Sequence, residues 1–141
     1  MEEITADKKK ITDKIAQKYS LEMILLFGSQ VSGKTSKESD FDIAYLSKKE
    51  LSGKEEIELN CDLMDVFKSD KIDLTNLKNA NPFLNYEIAK KCRLILGDEK
   101  KFSEFKIMAF KKYIDHLPLL DFQSFLIKKR HRILKELIYD K

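Results

Sequence analysis

A chain of 141 residues with 43% hydrophobic side chains suits one domain with a real core. Charged residues make up 36% and nearly balance, leaving a net charge of +3, too small a surplus to argue for nucleic-acid binding without a clustered basic face. Two cysteines, Cys61 and Cys92, form neither a disulfide framework nor a metal spacing and read as reduced, part-buried thiols of a cytosolic protein.

The opening MEEITADKKK is acidic, then basic, and has no apolar core of the kind a signal peptide carries. No apolar run approaches the roughly 20 residues of a membrane helix. The expected location is the cytoplasm, with no membrane contact. Residues 7–19 place Ile11, Ile15 and Tyr19 at every fourth position, one apolar stripe of a helix. MILLF at 23–27 is a short apolar run ended by Gly28 and reads as a buried strand. Gly28-Ser29 then opens a turn, with room for one helical turn after it. Gly33 sits in the polar segment SGKTSKES, a loop. DFDIAYL at 40–46 is a second strand.

Residues 50–67 read as mostly helix, and KIDLTNL at 71–77 alternates as a third strand, with Ile72 and Leu74 opposed to Asp73. Asn81-Pro82 starts another helix, since proline suits the first helical position. RLILGD at 93–98 reads either as a fourth strand or as a helix exit ended by Gly97. Residues 100–114 and 121–139 read as two more helices, parted by His116-Leu117-Pro118. The expected fold is therefore α/β (α+β): a small mixed sheet flanked by helices. It forms one domain over 1–141, with a core to about residue 98 and C-terminal helices after it.

The chemistry lies between the first two strands. Side chains alternate faces along a strand, so Asp40 and Asp42 share one face while Phe41, Ile43 and Tyr45 enter the core. Two like charges so close are tolerated best around a divalent cation. Magnesium takes oxygen ligands, accepts one or two carboxylates and leaves its other positions to water and phosphate. Asp73, on a neighbouring strand, is a candidate third carboxylate, and two metals held this way would stabilise both oxygens of an in-line displacement at phosphorus. Gly28 lets a phosphate approach the backbone closely. Ser29 adds a hydroxyl and, where a helical turn follows, exposed N–H groups that attract anions. Alone, a Gly-Ser is a turn and a DxD pair is a polar strand edge. Their conjunction, with ten residues between and a third aspartate about thirty residues on, points to transfer of a nucleotide from a magnesium-bound polyphosphate donor.

GSQVSGKTSKESDFD is a GSx10DxD pattern and resembles the signature of the DNA polymerase β-like nucleotidyltransferase superfamily. More narrowly, the chain resembles the minimal nucleotidyltransferases (MNT) of the MntA type, the antitoxin half of HEPN–MNT toxin–antitoxin pairs. The likeness runs through the leading helix, the motif, KIDLTNL with its NPFLNYEI helix, and RLILGDEKKFSEF. The resemblance implies that Gly28 and Ser29 hold the terminal phosphates of ATP, and that Asp40 and Asp42 bind Mg2+. Asp73 would complete the metal site and help deprotonate the acceptor. AMP would pass to a tyrosine of a HEPN ribonuclease toxin and silence it, with no direct contact to nucleic acid. Many relatives read Gly-Ser-x-Ala-x-Gly and close on DIDL. Here Gln30-Val31-Ser32-Gly33 and DFDI keep the second glycine and spare all three carboxylates, which implies an active enzyme.

Two other readings remain open at this point. One is a small-molecule nucleotidyltransferase of the aminoglycoside-modifying kind, for which the short chain leaves little acceptor pocket. The other is an antitoxin that neutralises by binding alone. Lys34, Lys37, Lys111, Lys112 and the basic run Lys128 to Arg132 are further candidates for phosphate or for an acidic patch on a partner, although loop and helix lysines are more simply a solvated face. His116 reads as a cap or surface residue. Phe102, Phe105, Met108, Phe110 and Tyr113 read as core.

Overall fold

The computed structural model describes residues 6–28, 31 and 40–139. Its elements are α1 (Ala6–Tyr19), β1 (Leu21–Phe27), β2 (Phe41–Ser47), α2 (Gly53–Phe67), β3 (Ile72–Asn76), α3 (Pro82–Lys90), β4 (Cys92–Gly97) and α4 (Glu99–Tyr139). The strands form one mixed sheet in the order β3-β2-β1-β4. β1 is antiparallel to both β2 and β4, whereas β2 and β3 are parallel. The parallel pair requires a long crossover, and α2 supplies it. The segment 92–97 is thus a strand, because β1 offers it a free edge at Phe27↔Cys92 through Met23↔Gly97.

Strand alternation divides the core in two. Ile24, Leu26, Ile43 and Tyr45 meet α1 and α2 through Ile15, Tyr19, Leu59 and Leu63. On the other face, Met23, Leu25 and Ala44 pack with Leu77 and Ile88, and Phe27, Phe102 and Phe105 close over them. Leu63 is 1% exposed in the first cluster. Truncating such a side chain removes its transfer energy and leaves a cavity. Leu63→Ala is expected to cost about 2–5 kcal/mol, read as a lowered midpoint in urea unfolding.

Local chemistry sets the helix ends. Ser52 caps α2 in a capping box: its hydroxyl accepts from the Glu55 N–H at 3.2 Å, and the Glu55 carboxylate accepts from the Ser52 N–H at 3.3 Å. Asn81 accepts from the Leu84 N–H at 2.8 Å, and Pro82 follows at the first helical position, as its missing donor allows. Buried hydroxyls find partners: Tyr19 donates to Asp62 and Tyr45 to Glu56, each at 2.6 Å. Burial and the Glu56 carboxylate together push the Tyr45 hydroxyl well above its ordinary pKa.

Four expectations are corrected, the last being the core reading of Met108 and Phe110. The buried face of α1 is Thr12, Ile15, Ala16 and Tyr19, while Ile11 is 47% exposed. Thr12 donates its hydroxyl to the Lys8 carbonyl at 2.6 Å, so it is buried without a lost hydrogen bond. Cys61 is exposed rather than part-buried, and Cys92 is half-buried. The C-terminal region is one helix of 41 residues with Pro118 inside it, not two helices parted at His116–Pro118. A proline removes one helical hydrogen bond and strains the preceding turn. Here the carbonyl it orphans, that of Ile114, lies on an exposed stretch where water can take the bond.

Among the described residues of α4, those of the first half are packed. Tyr113 stacks on Tyr86 of α3 with ring centroids 3.9 Å apart, and Phe110 lies 6.0 Å from the same ring. Phe102 and Phe105 enter the second core cluster, whereas Met108 and Phe110 stay 53% exposed.

Candidate active site

The open end of the sheet is where β1 stops and β2 and β3 begin. Asp42 is paired there with Phe27 on one side and with Asp73 on the other. The parallel register Asp42↔Asp73 puts both carboxylates on one face, the face shared with Ala44 and Leu46 and covered further along by α3 and α4. Asp40 precedes β2 and is exposed. The Phe41 N–H donates to the Lys71 carbonyl at 2.8 Å, tying this end of β2 to the approach of β3.

Asp42 is the most constrained of the three. Partial burial first, then the charges of Asp73 and Asp40, hold its carboxyl above the usual carboxylate range. The charges of Asp73 and Asp40 thus both bear on Asp42.

Gly28 completes the corner. Its φ is +78°, a conformation that side chains other than glycine rarely adopt. A Cβ there would lie 2.1 Å from the Asp42 Oδ2. The glycine is therefore needed to admit the Asp42 carboxylate. The close approach foreseen from sequence for a phosphate is, among the described residues, made by the protein itself. The turn continues with the Val31 N–H donating to the Gly28 carbonyl at 3.1 Å. Ser29 lies outside the described residues, as do Gly33, Lys34 and Lys37.

Among the described residues, no three His, Cys, Asp or Glu side chains stand close enough to hold a metal ion by themselves. The donor set nevertheless fits magnesium. It offers oxygen alone, its carboxylates repel one another in the absence of a cation, and magnesium takes only one or two carboxylates before water and phosphate fill its sphere.

Of the lysines considered from sequence, Lys112 lines a separate cleft with Glu22 and Leu46, at the far ends of β1 and β2. Lys111 lies on the outer surface of α4 with Ile107 and Ile114. Lys128 to Arg132 lie on the exposed outer half of α4. None of these joins the carboxylates. The structure adds a feature that the sequence reading missed, a cleft of about 290 Å³ against Gly28, lined by Phe27, Leu84, Glu87, Ile88 and Lys91. Its only sequence signal was a lysine pair ending a helix just before a strand.

Among the described helices, none is long and apolar enough to cross a membrane. No curated protein matches the sequence significantly. Among solved structures, a chain of a toxin–antitoxin complex crystallised with AMP-PNP is similar with a TM-score of 0.64 and 23% identity, over 92% of this chain and 98% of that one. A chain of the MntA–HepT toxin–antitoxin complex gives 0.59 and 21%, over 95% and 99%. A chain of the tri-AMPylated Shewanella oneidensis HEPN toxin in complex with its MNT antitoxin gives 0.58 and 21%, over 93% and 96%. These likenesses establish a shared fold. The family model described as polymerase beta, nucleotidyltransferase, matches residues 9–101, well over half of the sequence and the whole of the carboxylate corner. The chain belongs to the polymerase beta nucleotidyltransferase family.

Proposed function

We propose that this chain transfers AMP from magnesium-bound ATP to a tyrosine hydroxyl of a partner HEPN ribonuclease toxin, and so acts as its antitoxin. The observation that carries the reading is the pairing of Asp42 with Asp73 against Gly28, with Asp40 at the same end of the sheet. In the reaction the tyrosine oxygen attacks the α-phosphorus, and the bond from that phosphorus to the bridging oxygen breaks. Pyrophosphate leaves, and the hydroxyl proton passes to a base. Asp73, in register with Asp42, is the group for that proton. Asp40 and Asp42 would hold magnesium, with Asp73 completing the site. Gly28 and Ser29 would take the terminal phosphates. Magnesium bound there supplies charge neutralisation at the attacking and leaving oxygens.

A protein acceptor is favoured over a small alcohol by the outer half of α4. Leu119, Phe122, Leu126, Ile133 and Leu137 recur on one helical face and are each 45–65% exposed. An uncovered apolar face of this length suits a partner chain. The solved complexes of similar fold are toxin–antitoxin pairs. The core to about residue 98 then carries the chemistry, and α4 carries the partner.

The test is to incubate the purified chain with its toxin partner and Mg–ATP and to weigh the partner. Its mass is expected to rise in steps of one AMP, at a tyrosine located by fragmentation. An unchanged partner mass, with activity toward a small alcohol instead, would replace this reading with the small-molecule one.

A further inference from the structure

The cleft beside Gly28 opens on the sheet face that carries Asp42, since Phe27 and Ile88 in its wall belong to the core cluster of that face. Its polar side chains are Glu87 and Lys91. They are not equivalent. Glu87 is engaged by Lys90 in an ion pair of 3.1 Å. Lys91 makes no ion pair among the described residues. Its place follows from the chain path. α3 ends at Lys90, the backbone leaves the helical conformation at Lys91 (φ −140°, ψ 83°), and Cys92 pairs with Phe27, the residue before Gly28. Strand pairing thus brings Lys91 to the wall of the cleft beside Gly28, with no ion pair among the described residues.

The site needs such a charge. Three carboxylates, even with two magnesium ions, leave a bound nucleoside triphosphate with excess negative charge, and that charge grows on the departing pyrophosphate. A lysine serves as a point charge for phosphate oxygens. We infer that Lys91 binds the terminal phosphates of the nucleoside triphosphate from the α3 side of the Gly28 corner. The inference rests on the nucleotidyl-transfer reading of the site and deepens it. Glu87, held by Lys90, shapes the same wall without contributing to phosphate binding.

The test is titration of the purified full chain with a fluorescent ATP analogue in the presence of Mg2+. Lys91→Ala is expected to weaken binding at least about tenfold, and Lys91→Arg to restore most of it. Lys111→Ala, which removes a lysine from the outer surface of α4, is expected to leave affinity within about twofold. The metal-free proteins are expected to melt together. Equal binding by Lys91→Ala and the unaltered chain would overturn the inference. So would equal weakening in Lys111→Ala, which would reveal a general charge effect, or no recovery in Lys91→Arg. An unaltered chain that bound no nucleotide would instead sink the proposed function, so the two failures are distinguishable.

Discussion

Gly28→Ala is expected to lower AMP transfer at least about 100-fold, because about 1 Å of misplacement at a reacting group costs that much, while most of the fold survives. The added methyl would sit 2.1 Å from the Asp42 Oδ2, 3.0 Å from its Cγ and 3.2 Å from its Cβ. Relief has two routes, and both damage the site. Asp42 can swing away, which separates it from Asp73. Alternatively, the turn can leave its φ of +78°, which moves the corner that follows β1. An alanine retained in the left-handed region costs a further 1–2 kcal/mol or so. Sheet pairing from Leu21 to Phe27 does not depend on this carbon. The expected result is thus a folded protein, by circular dichroism, that no longer adds AMP to its partner. An alanine variant with full activity would show that the Gly28 corner lies outside the reacting centre.

The second large effect is expected from Asp42→Asn, which should act on activity and on stability in opposite directions. Transfer should fall by roughly 1,000-fold or more, because the variant loses a carboxylate on which charge neutralisation at both oxygens depends. Stability in metal-free buffer should hold or rise. Burial and the neighbouring Asp73 and Asp40 raise the Asp42 carboxyl above its unfolded value. An acid raised in the folded state weakens folding once the pH exceeds the unfolded value, and its removal restores what was lost. Melting in EDTA at neutral pH, paired with partner mass analysis, checks both halves. A variant that stayed active would remove Asp42 from the chemistry. One that melted far below the parent would mean that the carboxylate holds the fold together. Asp42→Asn also separates enzyme from scaffold: if the inactive variant still silences the toxin in cells, neutralisation is by binding alone.

Much of the core was legible from local pattern. MILLF, DFDIAYL and KIDLTNL became strands at nearly the expected positions, because short apolar or alternating runs bounded by turn residues have few other ways to be buried. Asn81-Pro82 started a helix as expected, through a cap that needs only three neighbouring residues. The errors arose where distant parts of the chain decide. The 92–97 segment could be a strand or a helix exit until β1 offered it an edge. The proline at 118 read as a break because local rules take no account of a helix that stands in solvent. Thr12, not Ile11, lies on the buried face of α1, its hydroxyl satisfied by a local bond that polarity scales do not count.

The carboxylate corner shows the same division. The sequence by itself determined that Asp42 faces away from Ile43 and Tyr45, because alternation along a strand is local geometry. It also determined that a glycine would stand where β1 ends. Only the tertiary structure decided that Asp73 lies beside Asp42, through a parallel register between segments thirty residues apart joined by α2. It decided equally that Gly28 is glycine in order to admit Asp42, and that Lys91 stands at the same corner. The physical reason is that strand pairing converts separations along the chain into distances of a few ångströms, and no periodicity within one segment encodes which partner it will meet.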